Sequence, residues 1–229
     1  MSNLVVVCSA ICTNNEPLSY TPTRSKFTHA ERYQQTLETL KKVREKVPDC
    51  YIVLVEATLL QEEYYSGLSK LADHILLTAG IKEVFVATES PYKGWGEACC
   101  LLCYLQSSHF QERKGVFRSV SKISGRYYPN EHFVFECREE GVVCKVDYNN
   151  PCHSSGVNMS TMFYTLPIGL VDVFVQSLKE VCSEMEMQNG VALEHVLPLT
   201  MIKHGMVLLR KEMLQVEGEY GPWGGFVRH

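Results

Sequence analysis

The stretch THAERYQQTLETLKKVREKVPDCYIVLV, Thr28 to Val55, decides the fold class. Thr28 and Glu31 stand at capping-box spacing, and Tyr33, Leu37, Leu40 and Val47 then recur on one helical face. Pro48-Asp49 ends that helix, and Tyr51 to Val55 is a short apolar run of strand character. Upstream, Leu4 to Ile11 reads as a first buried strand, joined to the helix by a polar loop containing NNEP and SYTPTRS. Strand, loop, helix and strand in that order predict a parallel α/β sheet.

Further along, the pattern predicts a helix around Glu62 to Ala72, a strand at His74 to Leu77, and a polar loop VATESPYKGWGE leading into the helix ACCLLCYLQ. Val116 to Ile123 alternates as a strand, and Phe133 to Cys137 with Val142 to Val146 reads as a hairpin around Glu139-Glu140-Gly141. Beyond Asn149-Asn150-Pro151 the pattern becomes helical, with Leu170 to Met187 amphipathic and another helix near Leu193. We expect one domain over residues 1–229, softly divided near residue 150. The C-terminal GEYGPWGGFVRH is either a flexible lid or a packed tail.

The 229 residues are 45% apolar, enough for one substantial core. A formal charge of −4 without long charged blocks excludes the basic excess of a dedicated nucleic-acid binder, so any phosphate recognition must be local. The apolar start LVVVCSAIC is too short to span a bilayer, follows no basic segment and ends in the turn-forming TNNEP. The ten cysteines therefore read as reduced thiols of a soluble, cytoplasmic protein.

Four motifs carry candidate chemistry. The loop TPTRSKFTHAER places Thr23, Arg24, Ser25 and Arg32 between the first strand and the first helix, where backbone N–H groups, the helix dipole and planar guanidinium forks favour an anion. The two arginines equally suit pairing with surface acids. KGWGE offers Lys93 as a point charge, two glycines (Gly94 among them) for close backbone approach, and Glu97, yet lacks Walker spacing; a glycine turn capping the next helix is the alternative. KISGRYY follows a strand, at the end where open α/β sheets keep ligands. Its Lys122 and Arg126 flank Ser124-Gly125, placed to converge on a diphosphate, and Tyr127 can stack on a base or sugar; a solvated strand end is the bland reading. In LEHVLP, Glu194 and His195 point to different sides of a helix, each a candidate base or an ordinary helix residue. Cys100-x-x-Cys103 lacks a second pair at zinc spacing, and Cys137, Cys144, Cys152 and His153 match no common zinc module.

Taken in order, SYTPTRSKFTHAERYQQTLETLKKVREKVPDCYIVLVE, PYKGWGEACCLLCYL and VSKISGRYY resemble the small glycosyltransferases encoded by large DNA viruses, including algal viruses, and related bacterial sugar-transfer proteins. The resemblance spans roughly residues 4–135, with an echo in LEHVLP. It implies a GT-A-like transferase on a Rossmann-type mixed sheet flanked by helices, with a smaller, helical acceptor-side part after residue 150 and, if the protein is viral, residence in the host cytoplasm. It implies further that Thr23, Arg24, Ser25, Arg32, Lys93, Gly94 and Glu97 flank a nucleotide-sugar donor. Lys122, Ser124, Gly125, Arg126 and Tyr127 would lie beside the diphosphate, and Glu194 or His195 would approach the hydroxyl of a glycan or glycoprotein acceptor. Many GT-A enzymes hold a divalent ion with Asp-x-Asp, where this chain reads Ser-Gly-Arg. Two cations there can neutralise a leaving diphosphate directly, so no cofactor is expected, with Asp73, Glu89 or Asp147 the alternative ion ligands. A non-catalytic nucleotide- or sugar-binding protein and a nucleotidyltransferase or hydrolase remain the rival readings.

Overall fold

The computed structural model describes residues 1–14, 16–148, 156–187, 191–222 and 224–229. The opening unit follows the sequence closely. β1 (Ser2–Ser9) leads through a long loop to α1 (His29–Lys46), which returns the chain to β2 (Cys50–Glu56). The capping box is formed: Glu31 N donates to Thr28 Oγ1 at 3.2 Å, and Thr28 N donates to Glu31 Oε2 at 2.8 Å. α2 (Glu62–Leu68) and β3 (His74–Leu77) extend the unit, and β3, β2 and β1 pair in parallel.

The next segment departs from expectation. Two helices, α3 (Lys82–Glu89) and α4 (Lys93–Gln106), occupy the region read as a polar loop, so KGWGE forms the first turns of α4. Its glycines serve helix packing. A Cβ on Gly94 would stand 2.5 Å from Leu193 Cβ, and one on Gly96 would stand 2.8 Å from the Thr88 backbone. α5 (Ser108–Arg113) then leads to β4 (Phe117–Ser124), which pairs in parallel with β1 on the side away from β2.

The tyrosines of KISGRYY fall in a short β5 (Tyr127–Pro129), followed by β6 (Val142–Asp147) and β7 (Asn158–Pro167). The expected hairpin is corrected: β6 pairs with β7 and with a later strand, and residues 133–137 form no strand. β7 is long enough to ladder with both β4 and β6, and Phe133 instead packs edge-on against Phe163 with centroids 5.4 Å apart. After α6 (Val171–Met187) and α7 (Leu193–Lys203) come β8 (Leu208–Arg210), β9 (Val216–Glu219) and β10 (Phe226–Arg228). The region beyond residue 150 is thus less helical than expected, because β7 and β8 complete the main sheet.

The architecture is α/β, a seven-stranded mixed sheet in the order β3-β2-β1-β4-β7-β6-β8, compatible with a Rossmann-like fold. β7 runs antiparallel to both neighbours. A second, three-stranded sheet, β10-β9-β5, joins the C-terminal hairpin to the end of KISGRYY, so that segment packs against the body. Alternation along β1 and β2 builds two cores. Val5, Val7, Ile52 and Leu54 face Leu40 and Val43 of α1, while Leu4, Val6, Val53 and Val55 belong with residues of α4, α6 and α7. Each such fully buried side chain contributes about 1.5–3 kcal/mol. No helix among the described residues is long and apolar enough to cross a membrane.

At the edge where β2 and β3 begin, His74 and His109 stack with ring centroids 3.7 Å apart, and the Tyr51 hydroxyl lies 3.3 Å from His109 Nε2. Burial holds both imidazoles below their ordinary pKa, with His109 and Arg113 adding to the effect at His74, and Arg113 at His109. The unfolded chain therefore binds protons more readily, and the stability of the neutral pair is lost as pH falls. Melting temperature should drop as pH is lowered from about 6.5, the ordinary imidazole pKa. The slope should flatten in His109→Phe; an unchanged slope contradicts this assignment.

Candidate functional site at the carboxyl edge

β1 and β4 end side by side, with Cys8 opposite Ser124 in register. The chain leaves them in different directions, β1 toward β2 and β4 toward the antiparallel half of the sheet, which opens a crevice between their carboxyl ends. Gly125 closes down on this point: its N–H donates to Cys8 O at 2.8 Å, and a Cβ there would stand 3.1 Å from Ser9 Cβ. Thr36 on α1 fixes the same turn, its hydroxyl 3.1 Å from Gly125 O. Glu56, fully buried at the end of β2, stitches the neighbouring loops by accepting from Ile11 N at 3.0 Å and Thr58 N at 2.9 Å. Burial raises its pKa, and its Oε2 has no partner.

The resulting recess encloses about 90 Å³ and is lined by Arg24, Arg32, Lys93 and Arg126 with Ser9, Thr13, Thr36, Thr88 and Ser124. Three of these cations retain donors. Arg32, 7% exposed, donates Nε–H to Ala10 O at 2.7 Å and Nη1–H to Ser25 Oγ at 3.1 Å, leaving Nη2. Burial, then Arg126, pushes its guanidinium down to about 9. Burial, Arg126 and Arg32 likewise hold Lys93 well below the usual ammonium range. Arg126 Nη1 is buried without a partner beneath Gly221, where a Cβ would overlap it and come within 2.9 Å of Lys93 Nζ. Thr88 Oγ1 is a second buried polar atom on this wall without a partner. Like charges brought together with donors to spare make this recess a candidate anion site.

Several expected site residues do other work. Arg24, 6% exposed, donates to the carbonyls of Glu16, Thr88, Glu89 and Ser90 at 2.8–3.1 Å, so it caps the C-terminus of α3. Thr23 is exposed and lines none of the described cavities, while Ser25 orients Arg32. The expectation that Lys122 and Arg126 converge on one anion is corrected. Lys122 is 1% exposed, and its three N–H donors go to Glu97 Oε1, Thr161 O and Ser124 Oγ, the last at 2.8 Å. Burial pushes its ammonium down to about 8, and the adjacent Glu97 carboxylate keeps a counter-charge in contact.

A second recess of about 250 Å³ shares Lys93, Glu97, Ser124 and Arg126 with the first and adds Tyr20, Tyr92, Gly94, Tyr127, Glu194 and Tyr220. Small-molecule sites typically measure about 300–1,000 Å³, so a ligand of that size would need both recesses. The structure separates Glu194 from His195. Glu194 faces the groove and accepts from Thr161 Oγ1 at 2.9 Å, whereas His195 Nδ1 lies 3.0 Å from Val157 O and lines none of the described cavities. Sequence reasoning passed over Glu56, although a carboxylate closing the apolar run YIVLVE was its signal, and over Tyr20 and Tyr220, which lie in SYTPTRS and GEYGPWGGFVRH without having been singled out. Among the alternative ion ligands, Asp73 pairs with Arg44 at 2.7 Å near the starts of β2 and β3, Glu89 accepts from Asn14, and Asp147 borders a third cavity. Cys152 and His153 lie outside the described residues.

Compared with known proteins, the chain matches no family model and no curated protein sequence. The site's geometry therefore bears the functional argument. Arg24→Ala should cost about 1–3 kcal/mol in chemical denaturation by stranding buried carbonyls, and Arg24→Lys should recover only part of it. Unchanged stability in Arg24→Ala would contradict the capping role.

Proposed function

We propose that this protein is a GT-A-type glycosyltransferase that moves a sugar from a nucleotide-diphosphate donor to a hydroxyl of a glycan or glycoprotein. The supporting observation is the convergence of Arg32, Lys93 and Arg126 on one recess between the carboxyl ends of β1 and β4. A dianionic diphosphate relieves their mutual repulsion and satisfies the stranded Arg126 donor. The mixed sheet is compatible with such a fold, and the adjoining tyrosine-lined groove offers room for the sugar and acceptor.

In the reaction, the bond between the anomeric carbon and the diphosphate oxygen breaks as the acceptor oxygen bonds to that carbon. Negative charge builds on the departing diphosphate, where the preorganised cations contribute most. The fully bonded Lys122 instead holds Glu97 and the end of β4 in place. Where the anomeric configuration inverts, Glu194 takes the acceptor proton. Side chains neutralise the leaving group in this scheme, so turnover should persist in the presence of a chelator.

Calorimetry with nucleoside diphosphates should show binding that weakens at least about tenfold, or 1.4 kcal/mol, in Arg126→Ala and Arg32→Ala. Glu194→Gln should keep donor affinity while transfer falls about 10²–10⁴-fold. Unchanged affinity in both arginine variants would remove them from the donor site. Binding without transfer across a panel of nucleotide sugars would favour a binding protein, and pyrophosphate release from a nucleoside triphosphate would favour a nucleotidyltransferase.

A further inference from the structure

On the far side of α4 from the recess, Cys99 and the Cys182 thiol of α6 stand with their sulfurs 3.5 Å apart. Both are half-buried and open onto a groove of about 810 Å³, lined also by Trp95, Leu102, Cys103 and Ser183. None of these residues lines the anion recess. Among the described residues no other pair of thiols is hydrogen-bonded, and the nine described cysteines are all free. A disulfide requires sulfurs about 2.05 Å apart, so the pair has roughly 1.5 Å to close.

We propose that Cys99 and Cys182 form a dithiol oxidation site that a peroxide converts to a disulfide across α4 and α6. The Cys182 sulfur attacks one peroxide oxygen, the O–O bond breaks, one water leaves and Cys182 becomes a sulfenic acid. Cys99 then attacks that sulfur, the S–O bond breaks and a second water departs. Two thiols lose two electrons and two protons, and hydrogen peroxide accepts both to give two waters.

The contact sets the order of the two steps. Cys99 donates its thiol hydrogen to Cys182 Sγ, and that bond together with burial raises the Cys99 pKa, so Cys182 is the first to react. Cys8, Cys100 and Cys144 are buried. Cys103 opens onto the same groove and is the natural control. The cross-link spans 83 residues and ties the helix bearing Lys93 and Glu97 to α6.

The folded protein is exposed to hydrogen peroxide, raised until at least one cysteine oxidises, then alkylated, digested and mapped by mass spectrometry. A Cys99–Cys182 linked peptide is expected, with a melting temperature raised by about 5–10 °C and restored by a reductant. Cys103→Ser should retain both effects, while Cys99→Ser should stop at a sulfenic acid on Cys182, trapped by a dione probe. Oxidation elsewhere with Cys99 and Cys182 still alkylated, or a cross-link through Cys103, overturns the proposal. The wild-type map decides even if Cys99→Ser fails to fold.

Discussion

The site depends on like charges held together against their repulsion. Arg32, Lys93 and Arg126 crowd one recess, with Arg32 buried and Lys93 and Arg126 half-buried, so water screens their repulsion less than it would on an open surface. The surrounding fold resists that repulsion by holding two of the cations in place. Arg32 is tied to the end of β1 and to Ser25, while Arg126 is pressed beneath Gly221 of the C-terminal hairpin. The capping box of α1, the Thr36 hydroxyl and the Glu56 carboxylate hold the loops from which these side chains project. Such an arrangement suits an anion of matching charge, as the proposed function requires.

A second group of charges works in the opposite sense. Lys122 meets the Glu97 carboxylate, the Ser124 hydroxyl and a carbonyl of β7, which links the parallel half of the sheet to its antiparallel half and to α4. Breaking such a pair would leave a buried charge without its partner, which is strongly destabilising. Neighbouring cations of one motif thus divide the labour, Lys122 inside the scaffold and Arg126 at the cavity.

The α/β class was legible because its signals are local. The Thr28–Glu31 box, the apolar face of α1 and the runs at β1, β2 and β3 report short-range physics, and β3 has the bounds read from the sequence. KISGRYY was rightly placed at a strand end. What stayed hidden depends on distant partners. Gly94 and Gly96 look like loop glycines until Leu193 and Thr88 are seen packed against them. Arg24 looks like an anion ligand until the carbonyls of α3 arrive beneath it. Lys122 and Arg126 are equivalent in sequence, and only the approach of α4 and β7 tells them apart. The failed hairpin has the same origin, since β6 pairs with the distant β7 and β8 and not with residues 133–137.

The central claim is that Arg32, Lys93 and Arg126 hold a donor's diphosphate at the carboxyl ends of β1 and β4. A crystal structure with a nucleoside diphosphate tests it most directly. The account predicts phosphate oxygens bonded to Arg126 and at least one of Arg32 and Lys93, with the Glu194 carboxylate across the groove. A diphosphate bound elsewhere, with those three side chains unengaged, would contradict it.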